Sequence, residues 1–136
     1  MDFSSEQIVE MINNFYTAYP YALENIEEFP EVKELLENGY AYADEENNIY
    51  LSKKGDDFFH KYIKIYSEQF ISFFSRNGYR SSACLLSTWM QSTFSIKDAF
   101  EANVFIDYII NNIFNYGYKA NISLNSLEKW IELEKV

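Results

Sequence analysis

Over residues 30–74 the chain reads as a helix, a tight reversal and a second, longer helix, and that order restricts what the remaining residues can build around it. Pro30 suits the first turn of a helix, Val32, Leu35 and Leu36 give that helix a buried edge, and Gly39 ends it in the left-handed conformation. Tyr40 and Tyr42 then alternate with Ala41 and Ala43, the residues from Asp44 to Asn48 make a polar turn, and Ile49 and Leu51 flank Tyr50 on the way back. This pattern predicts a β-hairpin. Ser52 is placed to cap the next helix, although Gly55 in its first turn is about 1 kcal/mol less favourable than alanine. From Asp56 onward Phe58, Phe59, Tyr62, Ile63, Tyr66, Phe70, Phe73 and Phe74 form a broad apolar stripe at helical spacing, which predicts a helix over 56–76.

On the amino-terminal side, Ser4 and Gln7 form a capping box, and Ile8, Met11, Ile12, Phe15 and Tyr16 follow at helical spacing, so a first helix is expected over 5–18. Pro20 disfavours helical geometry at Tyr19 and opens a short second helix that buries Tyr21, Leu23 and Ile26. Beyond the central stretch, Ser81 or Ser82 caps a helix carrying Leu85, Leu86, Trp89 and Met90. A second capping box, Ser95-Ile96-Lys97-Asp98, starts a helix with Phe100, Val104, Phe105, Tyr108, Ile109, Ile113 and Phe114 on one side and Ile106 and Ile110 on another. A helix this apolar around its circumference is central or oligomeric. A last helix is expected over 123–133, with Leu124, Leu127, Trp130 and Ile131 on one face. Gly39, Gly78 and Gly117 recur at a spacing of 39, each followed by tyrosine. The residues after each Gly-Tyr do not match one another, so the spacing reads as three helices that each end at glycine rather than as a repeat.

The run Leu35-Leu36-Glu37-Asn38-Gly39-Tyr40, the acidic turn, Ile49-Tyr50-Leu51-Ser52-Lys53-Lys54-Gly55 and the apolar helix after it resemble the third helix, wing and post-wing helix of winged-helix regulators. In that family the second wing strand commonly ends hydrophobic-x-Leu-Thr-x-x-Gly, and Ser52 stands here where threonine is frequent. The resemblance covers residues 30–74, about a third of the chain. It implies a mainly α domain with one small β-hairpin, a winged-helix-like part over 1–76 and added carboxy-terminal helices over 77–136. At 136 residues the whole fits a single domain, which buries roughly two-thirds of its unfolded surface.

Charge departs from that family. The formal net charge is −10, from 21 carboxylates against 11 lysines and arginines. A DNA-reading helix needs Arg, Lys, Asn or Gln toward bases and cations on phosphates. The helix before the hairpin carries Glu31, Glu34 and Glu37 against Lys33, and the turn carries Asp44, Glu45 and Glu46. Lys53, Lys54, Lys61, Lys64, Arg76 and Arg80 lie mostly on the following helix and read as an exposed flank of mixed charge.

Other chemistry finds little support. His60, the one histidine, reads as a partly buried, hydrogen-bonded side chain, and Cys84, the one cysteine, as a packed thiol. A histidine triad, a cysteine-based zinc cluster, a Gly-rich phosphate loop and a Gly-x-Ser-x-Gly elbow are excluded. No catalytic residue, metal ligand or cofactor is expected. Asp44-Glu45-Glu46 and Asp56-Asp57 lack the ligand spacing and glycine of a calcium loop. The opening residues are polar and acidic, unlike a signal peptide, and no apolar run reaches the length of a bilayer span, so a soluble cytoplasmic protein is expected.

What remains is binding. Glu24, Glu27, Glu28, Glu31, Glu34 and Glu37 recur at spacings of about three, and the tyrosine content exceeds what a core requires. A docking surface formed by Glu27, Glu28, Glu31, Glu34, Glu37, Tyr40, Tyr42, Asp44, Glu45 and Glu46 is expected to engage a basic protein. An immunity protein, an antitoxin or a phage-encoded inhibitor works in this way. The alternative is a winged-helix transcriptional regulator that binds DNA as a homodimer through the apolar helix between Ser95 and Tyr116.

Overall fold

A computed structural model describes residues 1–17 and 20–136. The chain divides into two compact units, residues 1–63 and 64–136, and the long helix α3 (Lys53–Arg76) contributes to both. Each unit contains its own three-stranded antiparallel sheet.

In the first unit, α1 (Ser5–Tyr16) opens on the expected capping box. The Ser4 hydroxyl accepts from the Gln7 amide at 3.1 Å, and the Gln7 side chain accepts from the Ser4 amide at 2.9 Å. The expected continuation of this helix to Ala18, and the effect of Pro20 on Tyr19, fall on positions outside the described residues. After Pro20 the chain forms a two-residue strand, β1 (Tyr21–Ala22), and a 3-10 helix (Leu23–Glu28), where the sequence pattern had suggested one short helix. Helix α2 (Pro30–Glu37) starts on its proline, and β2 (Ala41–Ala43) and β3 (Asn48–Leu51) form the expected hairpin. Strand β1 pairs with β3, giving the order β1-β3-β2. Ile8, Met11, Ile12, Val32, Leu35, Ile49 and Phe59 are fully buried and form the core of this unit.

The start of α3 depends on Ser52 and Gly55 together. The Ser52 hydroxyl accepts from the Gly55 amide at 3.2 Å and donates to the Gly39 carbonyl at 2.7 Å, while the Ser52 amide donates to the Tyr40 carbonyl at 3.0 Å. A Cβ on Gly55 would stand 1.9 Å from that carbonyl oxygen. The glycine is therefore what lets the first turn of α3 close against the end of α2.

In the second unit, the carboxy-terminal half of α3 is followed by β4 (Arg80–Ser82), α4 (Ala83–Phe94), α5 (Ala99–Asn112), a 3-10 turn (Ile113–Tyr116), β5 (Tyr118–Asn125) and β6 (Glu128–Lys135). Ser82 caps α4 through the Leu85 amide at 3.1 Å. The second capping box does not form. Ser95 instead takes the left-handed conformation that ends α4, and Asp98 caps α5 through the Phe100 amide at 2.7 Å. Phe70, Phe74, Leu86, Met90 and Phe105 are fully buried, and Phe73 stacks on Trp89 with centroids 4.6 Å apart.

The fold class expected from the sequence is thus overturned: the chain is mixed α and β, with six strands among the described residues, not mainly α with one small hairpin and added carboxy-terminal helices. The helix expected over 123–133 is a β-hairpin with a two-residue turn at Ser126 and Leu127, both at positive φ. Leu124, Leu127, Trp130 and Ile131 coincide with helical spacing, yet Ile131 and Leu133 are buried while Glu132 and Glu134 between and after them are exposed, a period of two. Among the described residues no helix is long and apolar enough to cross a membrane.

Candidate functional site

Acidic side chains dominate one continuous stretch of the first unit. Residues 23–48 carry nine carboxylates and one lysine, so eight of the ten net negative charges fall there. Two contacts join the three parts of this stretch. The Leu23 amide at the start of the 3-10 helix donates to the Asn47 carbonyl in the hairpin turn at 2.8 Å, and Lys33 on α2 reaches Glu27 on the 3-10 helix at 3.1 Å. These contacts link the three acid-bearing segments, which together we call the acidic belt. Glu24, Glu27, Glu28, Glu37, Glu45 and Glu46 are exposed, and Glu31 and Glu34 are half-buried.

The other residues expected at the docking surface divide by role. Asp44 organises the turn, its Oδ1 accepting from the amides of Glu46 and Asn48, both at 2.9 Å. That carboxylate is committed to the backbone. Tyr40 is half-buried, packs edge-on against Phe58 at 5.5 Å and lies 4.4 Å beneath the Lys54 ammonium, so it belongs to the joint between hairpin and α3. Tyr42 is exposed and faces Tyr50 across the hairpin at 6.2 Å. This aromatic pair, in register as cross-strand neighbours, borders the belt. Tyr50 is not among the residues expected at the docking surface, and the hairpin register is what places it opposite Tyr42.

A second feature of this unit had no clear signal in the sequence. An open cleft of about 640 Å³ lies between the end of α1, the hairpin and the start of α3, lined by Asn14, Tyr16, Tyr42, Tyr50, Ser52 and Asp56 among others. At its edge Asp56 Oδ1 accepts from the Tyr16 hydroxyl at 2.5 Å and lies 3.1 Å from His60 Nε2, and the Tyr16 and His60 rings meet edge-on at 5.8 Å. Asp56 and His60 are one helical turn apart, but Tyr16 is forty positions from Asp56, and sequence spacing carries no trace of that pairing. The trio ties α1 to α3. His60 is exposed rather than partly buried, and Cys84 is exposed on the first turn of α4 rather than packed in the core.

In the second unit, Tyr79 stacks on Tyr118 with centroids 6.2 Å apart beside a shallow cleft of about 380 Å³ that Leu133 also lines. Loss of hydration and the neighbouring Tyr79 hydroxyl raise the Tyr118 pKa above the usual phenol value of 10.0. Among the described residues no group of three or more His, Cys, Asp or Glu side chains is arranged to hold a metal ion. No family model matches the chain, and neither a curated protein nor a solved structure matches it.

Proposed function

We propose that the protein is a non-enzymatic binding module whose acidic belt docks on a basic protein and inhibits or neutralises it, as an immunity protein, an antitoxin or a phage-encoded inhibitor does. The observation that carries this reading is the concentration of charge: nine carboxylates against one lysine, on three elements joined by the Leu23–Asn47 and Glu27–Lys33 contacts. An exposed ion pair such as Glu27–Lys33 contributes under about 1 kcal/mol, so the belt's acids are there at a net cost in self-repulsion. A basic partner would relieve that repulsion and be steered to the surface. The exposed Tyr42–Tyr50 pair supplies contact area beside it. The reading sets the protein in the cytoplasm, where Cys84 stays a thiol.

The test is capture from the native host followed by mass spectrometry, with wild type beside a Glu31→Lys/Glu34→Lys/Glu37→Lys variant. Wild type should retain a basic protein, and the variant should associate about tenfold more slowly or worse. Equal capture by both would sink the reading.

A second reading, a dimeric winged-helix regulator of DNA, is favoured by one observation: in the first unit three helical segments precede the β2–β3 hairpin and a long helix follows it. In that reading α5 is the dimer helix. Charge on α2 and on the hairpin turn opposes it. Retardation of random duplex DNA at low salt is its test, and no retardation at all would overturn it.

A further inference from the structure

Strand β5 is the outer strand of the second sheet, whose order is β4-β6-β5, and at eight residues it is the longest edge in either sheet among the described residues. Proteins usually protect such an edge with proline, bulges, charges or brevity. β5 reads Tyr-Lys-Ala-Asn-Ile-Ser-Leu-Asn, with Lys119 as its one charge in a chain of net charge −10. β4, the opposite edge, is protected by its length of three residues.

The backbone direction of β5 follows from one bond. The Val136 amide donates to the Gly117 carbonyl at 2.9 Å. Since hydrogen-bonded and non-bonded pairs alternate along an antiparallel ladder, the odd-numbered residues of β5 bond to β6, and Ala120, Ile122 and Leu124 direct their N–H and C=O groups outward. Their side chains share one face with Ile131 and Leu133, which are 1% and 5% exposed. That apolar face continues beyond the core: Ile122 is 53% and Leu124 80% exposed, and Leu127 at the turn is fully exposed. Residues 121–129 are all exposed, and beyond the end of the β4 pairing residues 124–129 form a two-stranded ribbon. Such a ribbon is marginal by itself in water, and this one also holds Ser126 and Leu127 at φ of 52° and 69°, a conformation that favours glycine and asparagine.

We propose that β5 pairs antiparallel with β5 of a second copy of this chain, joining two three-stranded sheets into one of six. Two properties of the strand select a second copy. Centred on Ile122, the pairing is self-complementary: Ile122 meets Ile122, Ala120 meets Leu124, and Lys119 meets Asn125, so outward backbone groups face outward backbone groups, apolar side chains share a face and no like charges are opposed. Second, two chains of net charge −10 repel wherever acids face acids, and β5 is the extended edge that carries none. About six backbone hydrogen bonds form across the twofold axis, and the pairing covers Ile122 and Leu124. The surface is distinct from that of α5 and the 3-10 turn after it, where Phe100 and Phe114 are 71% and 69% exposed.

Sedimentation equilibrium of the full chain, from micromolar to near-millimolar concentration, tests this. Wild type should double its mass with concentration. An Ile122→Lys/Leu124→Lys variant, substituted only at exposed positions, should stay monomeric, while a Phe100→Glu/Phe114→Glu variant should still dimerise. In a Cys84→Ser background, Ile122→Cys should cross-link under oxidised glutathione, because Cα atoms of a hydrogen-bonded pair stand about 5.5 Å apart. Asn121→Cys should not. A wild type that stays monomeric throughout, a dimer that survives the double lysine variant, or a dimer lost in the double glutamate variant would each overturn the proposal.

Discussion

Gly55 holds the sharpest constraint on any single residue of the first unit. From composition alone it weakens the first turn of α3 by about 1 kcal/mol relative to alanine. The Tyr40 carbonyl oxygen, 1.9 Å from where a Cβ would stand, reverses the sign of that substitution. Backbone cannot yield as a flexible side chain would, so Gly55→Ala should destabilise the protein by about 2–4 kcal/mol, read from urea or thermal unfolding. A variant as stable as wild type would mean that α3 does not close on α2 as described. Ser52 acts at the same joint through the Gly39 carbonyl and the Gly55 amide, which is the physical content of the Ser-x-x-Gly spacing.

At the scale of elements, the β5–β6 hairpin turns through Ser126 and Leu127, neither of which favours positive φ. Replacing them with Asn-Gly should raise stability by about 1 kcal/mol, visible as a higher melting temperature of the second unit. The same hairpin shows where the sequence could be read and where it could not. Helices α1, α2 and α3 were legible because caps, proline and glycine act locally, within a few residues of the stripe they bound. The β2–β3 hairpin was legible because its polar turn and alternating tyrosines are adjacent. β1 is two residues long and finds β3 across the 3-10 helix and α2, and β4 finds residues 130–132 near the far end of the chain, so neither leaves a periodic signal. The β5–β6 hairpin misled because Leu124 and Leu127 are exposed, while the pattern assumed that apolar residues mark a buried face. For the candidate site, the acids of the belt were legible as charges at helical spacing. The turn-forming role of Asp44, the Lys54–Tyr40 contact and the Tyr16–Asp56–His60 trio were not, since each depends on tertiary contacts.

For the whole molecule, charge sets the response to salt. With eight of ten net negative charges on residues 23–48, the folded first unit holds like charges closer than an extended chain does. Raising monovalent salt to 0.1 M shortens the Debye length to about 10 Å, so the melting temperature should rise over that range, with most of the gain in the first unit. The Glu31→Lys/Glu34→Lys/Glu37→Lys variant should be more stable than wild type at low salt and show a smaller salt effect, while it loses partner capture. Calorimetry across a salt series measures this. A stability optimum at the lowest salt would contradict it.

The order β4-β6-β5 bears also on the sequence of events during synthesis. The middle strand of that sheet is the last of the three to leave the ribosome, whereas every strand of the first sheet has been made before α3 begins. Arg80, Ser81 and Ser82 must therefore wait for Glu132, Ile131 and Trp130, and β5 has no partner strand within its own sheet until β6 arrives. A nascent chain halted at Asn125 would present two unpaired strands with nothing between them, and a chaperone bound at that moment would meet the same residues, Ile122 and Leu124, that the finished protein still exposes.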